Sequence, residues 1–263
     1  MNRIFISFFI LSTLLLGSAQ AQTMEVSAEQ IQQWVLDAVD EMPAKGGFEL
    51  TRRPPERLRD AFSWRSNDLD INPQIAFPSY CTTSTFMVFY RVLQKYWDYS
   101  GTRPSRETLA MIKPNVENDG VRVWGRWNSN GPATAKFFRD TMMGENFDDI
   151  SKARPGDFLK LFWNGHIGKL ETGHSVVFLG SEVKNGVRMI KFWASQRATD
   201  GFGIHIVPIT DAKRLLFSRL TNPDRADNIA SLPTTDNFLA SMLSVESNWV
   251  EVRQVSGIQT VLW

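Results

Sequence analysis

Apolar and polar positions follow two different periods along this chain, and the change falls near its middle. In the first half, apolar residues recur at helical spacing over 25–42, 82–97 and 131–143. In the second half, short apolar runs between turn residues predict strands over 157–163, 175–179, 187–194 and 202–208. Helices followed by antiparallel strands predict an α+β fold.

Shorter elements follow from weaker patterns of the same kind. Apolar stretches and capping residues predict four more helices, over 56–64, 105–111, 211–219 and 234–242, and a last strand over 249–255. Prolines and glycines mark 43–56 and 72–78 as loops.

The first 21 residues have the pattern of an export signal. Arg3 precedes an apolar run over 4–16, and Ala19-Gln20-Ala21 is a small-residue cleavage site. The run is too short to span a bilayer comfortably. We therefore predict a periplasmic or secreted protein without a membrane anchor, consisting of an N-terminal helical extension over 22–70 and a main domain over 71–263.

The net charge of the chain limits the classes of partner that we expect. The chain has 29 Lys and Arg against 28 Asp and Glu, and the predicted signal removes only Arg3 from this balance. A net charge near zero argues against nucleic acid or an anionic membrane as the main partner. The remaining length is enough for one packed domain, and we expect a monomer.

Cys81 is the only cysteine of a chain that is predicted to be exported. Exported proteins usually hold cysteines in disulfide pairs. A lone thiol is either a small buried apolar group or a reactive one. Cys81 directly precedes the predicted helix over 82–97, where free N–H groups lower a thiol pKa and stabilise an oxyanion. We therefore predict that Cys81 is a nucleophile.

A cysteine nucleophile needs a base, and the chain has three histidines. His174 opens a predicted strand after a glycine and is the predicted base, whereas His166 lies in a surface turn and His205 can face either way. Gln196 is the favoured third residue to orient the imidazole, with Ser195 as the alternative. The three histidines share no metal-ligand spacing, so we expect no metal and no cofactor.

Together these motifs resemble the NlpC/P60 branch of papain-like cysteine peptidases over residues 75–207. The likeness rests on Cys81 at a helix start, a Pro-Gly-Asp strand entry at 155–157, the sequence GHSVVFLG at 173–180, and a third strand that ends in a polar residue. The chain departs from the family with Tyr80-Cys81-Thr82 in place of Asp-Cys-Ser. It also has Ser195 or Gln196 where the family often has His.

The resemblance implies a papain-like α+β fold and hydrolysis of an amide bond, commonly in cell-wall peptides. By position, Cys81 is then the nucleophile, His174 the general base and the Cys81 backbone N–H an oxyanion donor. The partner is then a peptide or a peptidoglycan fragment. Two alternatives remain: an acyltransferase that uses the same pair, and a non-catalytic module that binds cell-wall fragments.

Aromatic residues suggest where the substrate binds. Nine tryptophans are many for this length, and such a surplus often lines a groove. We predict that Trp124, Arg126 and Trp127 form one wall, with Arg126 pairing with a substrate carboxylate, and that Tyr80 contacts substrate beside the nucleophile. The alternative for this segment is a well-packed loop before the helix over 131–143.

Overall fold

The computed structural model describes residues 26–259, so the predicted export signal lies outside the described residues. The helices are α1 (Ala28–Asp40), α2 (Arg53–Ala61), α3 (Cys81–Ser100), α4 (Arg106–Ile112), α5 (Arg122–Asn128), α6 (Ala133–Thr141), α7 (Asn237–Ser241) and α8 (Trp249–Val255). The strands are β1 (Lys45–Gly46), β2 (Phe62–Arg65), β3 (Asp68–Ile71), β4 (Gly144–Phe147), β5 (Phe158–Phe162), β6 (Gly173–Lys184), β7 (Val187–Gln196), β8 (Gly201–Pro208) and β9 (Arg214–Leu220). The predicted α+β class is confirmed.

Seven strands form one antiparallel sheet in the order β1-β8-β7-β6-β5-β9-β4, and β2 and β3 form a separate hairpin. The centre of the sheet is a meander in which β6, β7 and β8 pair in chain order. Asn185 and Gly186 join β6 to β7 with φ of 52° and 77°. Two residues with positive φ suit the twist of a tight hairpin, so this turn fixes the register of the two longest strands.

Helix α3 packs along one face of the sheet. Its Phe86, Phe89 and Leu93 are fully buried and share a core with Val35 of α1 and Phe158 of β5. The segment over 26–70 therefore contributes to the same core as the residues that follow it. A second apolar cluster covers the opposite face of the sheet and includes Leu161, Val176, Phe192 and Phe217.

The Pro-Gly-Asp entry to β5 is held by a buried ion pair. Asp157 is fully buried, and its two carboxylate oxygens accept hydrogen bonds from Arg219 Nε (2.8 Å) and Nη2 (2.9 Å). The Arg154 backbone N–H donates to the same carboxylate at 2.7 Å. Gly156 has φ of +97°, and a Cβ there would lie 2.9 Å from the Gln32 carbonyl oxygen. The motif thus fixes where β5 begins.

Two predicted elements are wrong in type. The segment over 211–219 forms strand β9, not a helix, because it lies between β5 and β4 and is buried on both faces; a continuous apolar run does not distinguish the two. The segment over 249–255 forms helix α8, not a strand. The Asn248 side chain caps it by accepting the Glu251 N–H at 3.0 Å.

Other differences concern the boundaries and the lengths of elements. The helix predicted over 56–64 ends at Ala61, where the chain turns directly into the β2–β3 hairpin. The helix predicted over 234–242 is the short α7. Strand β4 and helix α5 lie where no element was predicted. Between residues 26 and 259 there is no helix long and apolar enough to cross a membrane.

Candidate active site

Cys81 is the first residue of α3 and is half-buried. Tyr80 precedes the helix in extended conformation, and its backbone N–H donates to Thr83 Oγ1 at 3.0 Å. The Cys81 carbonyl accepts hydrogen bonds from the hydroxyls of Ser84 (2.8 Å) and Thr85 (3.1 Å). The first N–H groups of a helix have no acceptor within the helix. The thiol therefore sits where backbone N–H groups and the helix dipole favour an anion.

His174 and Gln196 meet at the adjoining ends of β6 and β7. His174 Nε2 lies 3.3 Å from Gln196 Oε1, and His174 is the group that, after burial, acts most strongly on the pKa of the Cys81 thiol. Because Nε2 faces the amide oxygen, Nδ1 is the ring nitrogen left for the sulfur. Trp163 and Phe192 flank the ring at centroid distances of 6.3 and 5.7 Å. The structure thus brings together the predicted nucleophile, the predicted base and the favoured third residue.

Opposing effects set the pKa of the Cys81 thiol. Burial raises it, but the charge and the hydrogen bond of His174, the Ser175 backbone N–H and the Lys160 charge outweigh burial and lower the pKa to about 7. A thiol with an ordinary pKa near 8.5 is a few per cent ionised at neutral pH. At a pKa of about 7 roughly half is thiolate, so this site is built to hold an ionised sulfur.

Ser195 and His205 do not contact the imidazole as third residue. The Ser79 hydroxyl donates to Ser195 Oγ at 2.7 Å, and the Ser195 backbone N–H donates to Ser84 Oγ at 2.9 Å. Ser195 thus ties β7 to the start of α3, which keeps the helix N-terminus beside the strand ends. His205 packs against the other side of Phe192, at 5.8 Å between centroids.

His166 is exposed and lies 3.2 Å from Glu246, as predicted for a surface turn. His166 is not among the groups that shift the pKa of the Cys81 thiol. Of the three histidines, His174 is therefore the one that acts on the thiol at the start of α3.

A cleft of about 310 Å³ opens at the sulfur. Besides Cys81, its polar lining consists of Thr51, Tyr80, Thr82, Asp119, Asn128, Asn130, Lys160 and Ser175. The Thr82 hydroxyl donates to Asn128 Oδ1 at 2.6 Å, and Asn128 Nδ2 donates to Asp119 Oδ1 at 2.8 Å. Burial raises the pKa of Asp119, while the Asn128 hydrogen bond and the Lys160 charge oppose the rise.

Tyr80 lines this cleft directly beside the sulfur, at the position predicted for a substrate contact. Burial, and then the nearby charges of Cys81 and Asp119, raise the pKa of its phenol well above the usual range. The phenol therefore stays neutral and offers the cleft a hydrogen-bonding O–H group.

Trp124, Arg126 and Trp127 do not form a groove wall, and that prediction is corrected. All three are buried, with exposed fractions of 2%, 1% and 0%. Trp127 stacks on Phe89 at 4.9 Å and donates from Nε1 to Thr85 Oγ1 at 3.0 Å, and Arg126 donates to the Pro233 carbonyl. The segment is helix α5, which directs these side chains into the core, where Trp127 packs against α3.

The charged groups of the cleft, above all Lys160, are not predicted from the sequence. Lys160 is the middle residue of the buried strand β5 and pairs with Glu171, whose side chain is fully buried, at 2.6 Å. A lysine inside an otherwise apolar strand is the available signal, because a cation is seldom placed there without a partner. Asp119 and Asn128 lie in loop and helix-end positions that carry no comparable signal.

Among residues 26–259, no three His, Cys, Asp or Glu side chains gather in a way that could hold a metal ion. Comparisons with family models, with curated proteins and with solved structures find no match for this chain.

Proposed function

We propose that this chain is an exported cysteine hydrolase with a papain-like fold, a divergent relative of the NlpC/P60 peptidases, that cleaves an amide bond. One observation carries the proposal. The Cys81 thiol lies at the start of a buried helix, where His174 lowers its pKa, and Gln196 Oε1 lies 3.3 Å from Nε2 of the same histidine. A nucleophile, a base and a neutral group that orients the base are the parts that acyl transfer through a thioester requires.

In the proposed reaction the Cys81 thiolate attacks the amide carbonyl carbon, and the carbonyl electron pair moves onto oxygen. The Cys81 backbone N–H is placed to stabilise this oxyanion. The intermediate collapses, the C–N bond breaks, and the proton on His174 passes to the leaving amine. A thioester remains on Cys81.

Water then attacks the thioester carbonyl and gives its proton to His174. Collapse of the second intermediate releases the carboxylic acid and restores the thiolate and imidazolium pair. Gln196 acts throughout as the acceptor for Nε2–H, which keeps Nδ1 directed at the sulfur.

The proposed substrate is a peptide, with cell-wall peptides as the leading class. Two features support this choice: the export signal predicted at residues 1–21, and an open cleft whose lining includes hydroxyl, amide and charged side chains. Such side chains can hydrogen-bond the amide and carboxylate groups of a peptide.

The proposal is tested by incubating the protein with purified peptidoglycan fragments and following the products by mass spectrometry. Cys81→Ala is the matched control, because it removes one sulfur at a half-buried position. We expect cleavage by wild type, none by Cys81→Ala, and a covalent acyl adduct on Cys81 when turnover is quenched with acid. Equal products from both proteins would overturn the proposal.

A further inference from the structure

Lys160 is a cation in the cleft that the proposed reaction leaves without a role. Its side chain is 13% exposed, and its ammonium pairs with the fully buried Glu171 at 2.6 Å. Strand β5 places Lys160 directly opposite Ser175 of β6, and both residues line the cleft together with Cys81. The ammonium therefore lies on the same wall of the cleft as the thiol.

Glu171 and Lys160 form an ion pair, with the ammonium 2.6 Å from Glu171 Oε1. The Glu171 carboxylate also accepts the backbone N–H groups of Gly131 (2.6 Å) and Gly168 (3.2 Å). Its negative charge is thus shared among three donors. An ammonium has three N–H groups, and among residues 26–259 the Glu171 carboxylate is its only charged partner. The ammonium also lies 5.6 Å from the centroid of the Phe162 ring, and the Lys160 side chain lines the cleft.

Gly173 keeps the ammonium open to the cleft. A Cβ at this position would lie 2.5 Å from Glu171 Oε1 and 3.0 Å from Lys160 Nζ. Any other residue would push the ion pair away from the strand end. The bare backbone of Gly173 therefore leaves room beside Lys160, one residue before His174.

The other charged groups around the thiol determine the sign of the field there. His174 faces Cys81 from β6, Tyr80 from the start of α3, Lys160 from β5, and Asp119 from the loop before α5. After burial and His174, Lys160 acts on the sulfur, whereas the Asp119 charge acts on Tyr80. Positive charge therefore prevails at the thiol, and Lys160 also acts on the Asp119 carboxylate.

We propose that Lys160, held by Glu171, forms a carboxylate-binding subsite beside Cys81, so that the cleft takes substrates whose scissile amide lies next to a free carboxylate. The proposal rests on the proposed function in one respect: the substrate must reach Cys81. A mostly buried ammonium attracts a carboxylate more strongly than a solvated surface lysine does, because water screens it less.

The test uses pairs of alkylating reagents that differ only in charge: iodoacetate against iodoacetamide, and 3-bromopropionate against 3-bromopropanamide. Rates of Cys81 modification are measured above the thiol pKa, where all sulfur is thiolate, and are divided by the same rates for glutathione. We expect the acid-to-amide ratio in wild type to exceed the glutathione ratio by about threefold or more for at least one pair.

Three variants assign the effect to Lys160. Lys160→Met should bring the ratio down to the glutathione value, and Lys160→Arg should preserve it. Because Lys160→Met leaves Glu171 buried without its cation, which destabilises a fold, Lys160→Met/Glu171→Gln serves as the second variant and should behave as Lys160→Met does. A ratio in wild type at or below that of glutathione, or one that both methionine variants retain, would overturn the subsite.

The two proposals fail in different ways. If Cys81 reacts in a His174-dependent manner but shows no preference for the acids, the subsite is wrong and the hydrolase proposal stands. If Cys81 is unreactive towards all four reagents, both are wrong, because no accessible thiol then lies beside Lys160.

Discussion

His174 Nε2 lies 3.3 Å from Gln196 Oε1, although the two residues are 22 positions apart in the chain. Antiparallel pairing of β6 and β7 produces this contact, because it places the start of one strand beside the end of the next. The Gln196 amide orients the imidazole without adding a charge. Cys81 is left with the other ring nitrogen.

Replacing Gln196 tests this contact. In Gln196→Ala the imidazole loses the acceptor for Nε2–H, and the rate of Cys81 alkylation at neutral pH should fall by about tenfold, the value of one hydrogen bond. Gln196→Glu supplies an acceptor of nearly the same shape and should keep the thiol reactive. Equal alkylation rates in wild type and Gln196→Ala would show that the side chain does not orient His174.

Ser195→Ala is the matched comparison on the neighbouring residue. It removes the acceptor of the Ser79 hydroxyl but leaves the Ser195 backbone N–H on Ser84. We expect the free energy of unfolding to fall by about 1 kcal/mol, measured by urea denaturation, with no change in the pH dependence of alkylation. A shifted pH profile would instead make Ser195 part of the catalytic group.

Asp157 is expected to be critical for stability. Asp157→Ala removes the bidentate partner of the buried Arg219 side chain. The substitution should therefore lower the free energy of unfolding by about 3 kcal/mol or more. Glu145→Gln removes the other carboxylate on Arg219, which is 58% exposed, and should cost at most about 1 kcal/mol. Similar losses for the two variants would contradict the role assigned to the buried pair.

The start of α3 could be predicted from sequence because local signals agreed there. Apolar residues at helical spacing, Phe86, Phe89 and Leu93 among them, marked the helix, and the irregular stretch before Tyr80 marked its beginning. His174 followed from a strand pattern bounded by glycine. Because these signals are local, the start of α3 and the position of His174 are predicted without knowledge of long-range packing.

The remaining parts depend on tertiary context. The sequence predicts a helix where strand β9 forms, because a strand that is buried on both faces does not alternate apolar and polar residues. The prediction of a groove wall at Trp124 and Trp127 rests on composition, and composition does not distinguish a buried indole from an exposed one. Lys160 and Glu171 meet across the β5–β6 connection, and nothing in the local sequence of either residue predicts that pairing.

The most direct test of the central claim is the pH dependence of Cys81 alkylation by iodoacetamide, in wild type and in His174→Ala. The thiol pKa of about 7 predicts a rate that is half-maximal near neutral pH and constant at higher pH. Without the imidazole, the midpoint should rise towards the ordinary thiol value of about 8.5. An unreactive thiol, or the same midpoint in both proteins, would contradict the assignment of Cys81 and His174 as a catalytic pair.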